Sequence, residues 1–365
     1  MMKILVAHRN LNPWRANRPL LMVVLALTVM ALIPSCNKIY GPDSWNDGWN
    51  KLGGDRPVLF YSNLAEPSTK ATLPDNTTFG VFAFYQPGTL GTPGSWNPST
   101  CTPNFMFNQS VLFRETDSYT YSPIRYWPSN DYNTLSFWAY CPYNPTDDNI
   151  AFIQSGSTYA SYISTTTGFP DIEYTVDTGK TDLLIATPVT NLAKPANDDP
   201  VSFSFHHTLS KINFKFKKAD GTGNEYTIKV LSISFQNVYL TGFHGSSHWR
   251  DLSNASSVLY PFEAYSGSPE ISAASSAPET PAFSTILIPQ DVESNSAVIH
   301  LEYSVQLNSD PEEVFEGDCL LTGEWLEGKQ YTYTISISPG NPIIFSASIT
   351  DWDPNVENGY VYIVN

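Results

Sequence analysis

The segment FSFHHTLSKINFKF, residues 203 to 216, alternates apolar and polar side chains and then changes phase. Val201, Phe203, Phe205, His207 and Leu209 hold odd positions, whereas Ile212, Phe214 and Phe216 hold even ones. Side chains on a strand alternate between faces, so a shift of one residue turns every later apolar group to the opposite side. A chain tolerates this only where it bends, bulges or leaves one sheet for another. Thr208 to Lys211 is expected to be such a place, with His206 and His207 as hinge or packing residues.

Similar short runs recur along the chain. Val58–Ser62, Phe79–Tyr85, Phe105–Phe113, Leu135–Tyr140, Tyr162–Thr166 and Asp182–Ala186 are each bounded by Pro, Gly, Asn or Asp, which is the signature of an antiparallel sandwich. Tyr226–Tyr239, Phe283–Ile288, Val298–Leu307, Tyr331–Ser338, Ile343–Ile349 and Tyr360–Val364 repeat the style. Leu192–Pro200 (LAKPANDDP) is a polar, Pro-bearing break that suits a domain junction, and Leu252–Pro281 is expected to be a long functional loop. Aromatic residues at 14% with charged residues at only 15% favour half-buried strands over disorder. No stretch has a sustained helical period.

Residues 1–35 have the features of a lipoprotein signal peptide. Lys3, Arg9, Arg15 and Arg18 precede the apolar run Leu20–Ile33, which ends at Pro34-Ser35-Cys36, a lipobox-like site where Cys36 would carry the lipid. Pro34 and the long basic region depart from the usual pattern, and ordinary secretion or a retained anchor are the alternatives. Removal of the leader takes four of 19 basic residues and no acidic ones, leaving 15 against 35. That balance argues against nucleic acid as a partner, which requires clustered Lys and Arg. Residues 36–55 are expected to be a tether. The remainder exceeds what one core usually supports and is divided into 56–200 and 201–365. Of the four cysteines, a Cys101–Cys141 disulfide is one reading and three buried free thiols the other.

The order of several segments carries a family resemblance: TKATLPDNTTFGVFAFY, NFMFNQSVLF, YSPIRYWPSNDYNTLSFWAYCPY, TDLLIAT, FSFHHTLSKINFKF, TILIPQ, GEWLEGKQYTYTISI and ITDWDP. In these the chain resembles the fimbrillin-like, or major fimbrium subunit-like, lipoproteins of the Bacteroidetes. The resemblance implies an all-β fold of two tandem transthyretin-like (Ig-like) β-sandwich domains. It further implies a stalk, anchor or tip subunit of a pilus, lipid-anchored in the outer membrane and exposed at the cell surface or in the fimbrium. Its partners would be other pilus subunits and a host or bacterial glycan or protein.

In polymerising members of such a family a protease removes the first strand, and a neighbouring subunit's strand fills the groove. Here Val58 and Phe60 lie on the candidate first strand, and Tyr360, Tyr362 and Val364 on the candidate donor. The alternative for the C-terminal strand is that it closes its own sheet. Family processing places an Arg after the first strand. The matching position in PSTKAT carries Lys70, while Arg56 lies before the strand, which favours an anchor or accessory subunit over a stalk.

No catalytic residue, cofactor or metal site is expected. His244 and His248 in FHGSSHW are separated by Gly and Ser that favour a loop over a converging helix. DWDPNVENG, from Asp351 to Gly359, begins like a calcium loop but has Val356 where that loop needs glycine. No Gly-x-Ser-x-Gly, His-Glu-x-x-His or phosphate-cradling loop occurs. Trp127 and Trp138 are expected in the core, whereas Trp45, Trp49 and Trp249 are candidates for stacking on sugar. A monomeric carbohydrate-binding lipoprotein is therefore the alternative function.

Overall fold

The computed structural model describes residues 56–64, 73–114, 120–143, 149–157, 160–176, 181–245, 248–252, 259–266, 271, 283–339 and 344–352. Among them every regular element is a strand, and there are 21. The first sheet contains β1 (Phe60–Leu64), β2 (Thr78–Gln86), β3 (Met106–Leu112), β4 (Thr134–Cys141), β7 (Leu184–Ala186), β8 (Val189–Ala193) and β9 (Val201–His207). Its order is β1-β9-β7-β4-β2-β3, with β8 also pairing with β4. All eight residues of β4, and all of β2 except its half-buried Thr78 and Tyr85, are buried, as expected of strands covered on both faces. Phe79, Val81, Leu135 and Phe137 enter one core, which Tyr121 and Trp127 help to close. Phe82, Phe84, Trp138 and Tyr140 enter the other.

That second face packs against a sheet ordered β13-β12-β6-β5, made of β5 (Ile150–Ile153), β6 (Asp171–Thr175), β12 (Thr241–His244) and β13 (Trp249–Arg250). Phe152 of β5 lies 5.1 Å from Phe82 and 4.9 Å from Tyr140, ring centre to ring centre. Two further four-stranded sheets face one another across the same continuous apolar cluster. One is β15-β10-β20-β21, from β10 (Ser210–Lys218), β15 (Phe283–Leu287), β20 (Lys329–Ile337) and β21 (Ile344–Asp351). The other is β14-β11-β17-β18, from β11 (Tyr226–Tyr239), β14 (Leu259–Ser266), β17 (Val298–Leu307) and β18 (Glu313–Leu320). Phe214 and Phe235 meet between them at 5.8 Å. A short pair, β16 (Gln290–Asp291) with β19 (Glu324–Trp325), completes the elements.

The phase change at Thr208–Lys211 marks a change of sheet. β9 belongs to the first sheet and buries Phe203 and Phe205 there, whereas β10 runs in the third and buries Ile212, Phe214 and Phe216 in the other cluster. β9 lies after the expected division between 200 and 201 and pairs with β1 and β7. Residues 241–250 return to the N-terminal half, where β12 pairs with β6 from Thr241↔Thr175 to His244↔Ile172. Trp49–Asn365 accordingly forms one compact unit.

Other expectations also change. Residues 162–166 contain no strand; the Tyr162 hydroxyl donates to the Gly168 carbonyl within a turn. The expected loop over 252–281 contains β14, because β11 is long enough to carry a strand on each side. The Cys101–Cys141 bridge is absent and both thiols are free. The Cys141 side chain enters one face's core and donates to the Thr78 carbonyl at 3.7 Å, while Cys101 packs against the core of the opposite face. Two sulfurs separated by a sheet cannot reach disulfide geometry.

Candidate functional site

The groups with most scope for interaction are sheet edges, because an edge strand leaves one row of backbone N–H and C=O groups without a strand partner. β1 occupies an edge of the first sheet. Among the described residues its strand partner is β9, in parallel, from Phe60↔Val201 to Leu64↔Phe205. Its period-2 pattern turns Phe60, Ser62 and Leu64 inward. The Phe60 ring fills an aromatic slot, stacked 5.6 Å from Phe203 and lying 5.4 Å from Tyr121, 6.0 Å from Phe137 and 6.4 Å from Phe79.

The entry to β1 is fastened by backbone bonds. Val58 N–H donates to the Arg125 carbonyl at 2.8 Å, and Trp127 N–H to the Arg56 carbonyl at 3.0 Å. The Tyr121 hydroxyl donates to the Val58 carbonyl at 2.8 Å, and burial raises its pKa far above the ordinary value. Arg56 itself is tied down: Nε lies 3.2 Å from the Asp198 carboxylate and Nη1 donates to the Pro195 carbonyl. A cut after Arg56 would leave β1 in place, whereas a cut at Lys70 falls after it. Lys70 lies outside the described residues, as do Cys36, Tyr360, Tyr362 and Val364.

β18 and β21 likewise each lie at the edge of their sheet. Burial pushes the Tyr333 phenol of β20 up to about 12, and its hydroxyl accepts from the Trp325 indole N–H at 3.0 Å. Register sets Phe315 opposite Tyr303, and Ile349 opposite Tyr331, all directed between the sheets. Both edge residues nevertheless remain open to solvent, Phe315 at 39% and Ile349 at 62%. EVFEGDCL carries this edge in the sequence, but its Glu and Asp interrupt the apolar alternation, as edge strands often require.

The histidines serve the junction. His207 Nδ1 lies 2.6 Å from the Asp182 carboxylate, and its ring stacks 4.1 Å from Trp352. His206 and His244 both approach Glu327, at 3.8 and 3.4 Å. Burial lowers the pKa of His206; Glu327 opposes that shift, and His244 and His207 reinforce it. Among the described residues no group of three or more His, Cys, Asp or Glu is arranged to hold a metal. Most of DWDPNVENG, from Asp353 on, lies outside the described residues, as do Trp45 and Trp49.

Trp127 and Trp138 are buried, whereas Trp249 is not the exposed platform expected for sugar. Its indole N–H donates to the Thr208 carbonyl, and its ring packs against Tyr174 and His244. The hairpin return that brings β12 to β6 covers it, and this contact has no counterpart in local sequence.

Comparison with known proteins agrees with this architecture. A fimbrial protein from Bacteroides vulgatus matches with a TM-score of 0.65 at 21% identity, over 82% of this chain and 100% of that one. A candidate cell adhesion protein from Bacteroides uniformis matches with a TM-score of 0.46 at 16% identity, over 82% and 100%. The tip fimbrial protein Mfa3 from Porphyromonas gingivalis matches with a TM-score of 0.38 at 11% identity, over 81% and 99%. The first of these shows the shared fold. No curated protein matches. The model of the fimbrillin-like family matches residues 68–352, most of the chain, and the protein belongs to that family.

Proposed function

We propose that this protein is a structural or adhesive subunit of a pilus-like cell-surface fibre, without catalytic activity, which assembles by exchange of β-strands between copies or with other pilus subunits. Family membership supports the fibre. The observation that carries strand exchange is β1: the end strand of its sheet among the described residues, whose Phe60 sits in a slot of four aromatic rings. Loss of β1 would bare that slot and the β9 backbone together, and an incoming extended segment satisfies both. β1 pairs in parallel, the slightly weaker arrangement, so an antiparallel replacement would gain hydrogen-bond geometry.

In this reading Cys36 carries the lipid that holds the subunit at the outer membrane, and residues 36–55 form the tether. Cleavage at Lys70 frees β1, and the strand containing Tyr360, Tyr362 and Val364 is the donor. Where Lys70 is left uncut the subunit serves as an anchor or accessory. The carbohydrate-binding alternative loses one of its three candidate rings, because Trp249 is engaged in packing.

Limited proteolysis tests the proposal. Trypsin-like treatment of the full chain should yield oligomer ladders that survive warm detergent, and Lys70→Ala should abolish them while cleavage at the other accessible Lys and Arg sites persists. Monomers alone after complete cleavage at Lys70 would end the strand-exchange reading, and binding of the intact monomer to a glycan array would put the carbohydrate reading in its place.

A further inference from the structure

Two outer faces of the sandwich built from β10, β20 and β21 on one side and β11, β17 and β18 on the other carry opposite charge. With Ile212, Phe214 and Phe216 turned inward, β10 presents Lys211, Lys215 and Lys217 outward, each half-buried along its stem. Their register partners on β20 are Gln330, Thr334 and Ser336, and the outward residues of β21 include Ser346, Ser348 and Thr350. The outward positions of these three strands hold no carboxylate. The centre is ordered: the Ser284 hydroxyl donates to Asn213 Oδ1 at 2.7 Å, and Asn213 Nδ2 to the Thr332 hydroxyl at 3.4 Å.

On the opposite sheet Ile299, Leu301 and Tyr303 point inward, so His300, Glu302 and Ser304 point out, and register places Glu302 directly opposite Glu316, with Asp318 next along β18. From Glu302 to Asp318 the sequence has six carboxylates and no Lys or Arg. Lys229 reaches Glu312 at 3.3 Å and His300 reaches Asp318 at 2.6 Å, while Glu302 accepts from the Ser232 hydroxyl at 3.3 Å. Like charges directly opposite one another on a sheet face are destabilising unless a cation comes between them.

We propose that the lysine face of one copy docks on the Glu302/Glu316/Asp318 face of a second copy, so that subunits stack through a salt-sensitive contact separate from strand exchange. Lys215 and Lys217 are two residues apart on their strand, as are Glu316 and Asp318 on theirs, a matched spacing of about 7 Å along each strand. A lysine seated between Glu302 and Glu316 removes their repulsion. The two faces lie on opposite sides of one sandwich, so the contact is heterologous, leaves a free face at each end, and propagates into an open stack. In a chain with 35 acidic and 19 basic residues, a carboxylate-free lysine row gives copies one preferred orientation.

Sedimentation velocity of the purified full chain in neutral detergent reads this directly. Self-association should weaken about tenfold or more when sodium chloride rises from about 0.02 to about 0.5 M, over which screening closes to a few ångströms. Lys215→Glu/Lys217→Glu and Glu316→Lys/Asp318→Lys should each sediment as monomers, and an equimolar mixture of the two should associate again. Detergent-stable ladders formed after proteolysis should be unchanged by either double variant, which separates this contact from strand exchange. Absence of wild-type association, association indifferent to salt, or failure of the mixture to recover it overturns the proposal. So does a lysine variant that keeps self-association but loses retention on heparin, which would assign the face to a polyanionic chain instead.

Discussion

His206 shows how one side chain reports on the junction between sheets. Its ring is pressed among His207, His244 and Glu327, and burial lowers its pKa from the ordinary 6.5. The folded chain then binds that proton less tightly than the unfolded chain. Stability from this site is complete above the unfolded value and falls as pH drops through it towards the lower folded value. The denaturation midpoint should therefore decrease from pH 7.5 to pH 5 by more in the wild type than in His206→Gln. Equal slopes would mean that the histidine is solvated in the folded state. The pair of adjacent histidines was legible in FSFHHTLSK as a hinge feature, but Glu327 and His244 come from distant strands and no local pattern announces them.

At the scale of the element, β1 holds its place by one aromatic plug and one row of parallel backbone bonds. Phe60→Ala should cost about 3–5 kcal/mol, as expected for deleting a fully buried ring from a site whose walls are fixed by other strands. Urea denaturation would measure the loss, and hydrogen exchange should show faster opening at the β9 amides. A cost below about 1 kcal/mol would mean that the slot collapses around the cavity. The run 58–62 reads as a strand from its alternation alone. That its partner is β9, more than a hundred residues later and parallel, is a property of topology. EVFEGDCL was harder to read, because its charges break the apolar alternation at the edge they protect.

For the whole molecule the decisive joint is the return of residues 241–250 to the N-terminal half. Arg250 fastens it, reaching the Asp171 carboxylate at 2.5 Å and the Ser157 carbonyl at 3.1 Å, while Gly156 N–H donates to the same carboxylate at 2.9 Å. Asp171 is only 3% exposed, so Arg250→Met leaves a buried charge uncompensated and should cost about 3 kcal/mol. Calorimetry should show the single wild-type transition broadening or dividing as the two halves uncouple, with Asp171→Asn restoring part of the loss. A single sharp transition in Arg250→Met would place the coupling in the shared apolar cluster instead.

Sequence alone determined the class of structure: strand alternation and the change of sheet at Thr208–Lys211 follow from a side-chain period set by backbone geometry. Tertiary structure decided the rest. The parallel β1–β9 pairing, the β6–β12 ladder, the packing of Trp249 and the exposure of Phe315 and Ile349 on the edge strands β18 and β21 all depend on which distant segments meet. A pattern of period two states which way each side chain faces; it carries no information about which strand lies alongside, because every extended backbone offers the same row of donors and acceptors.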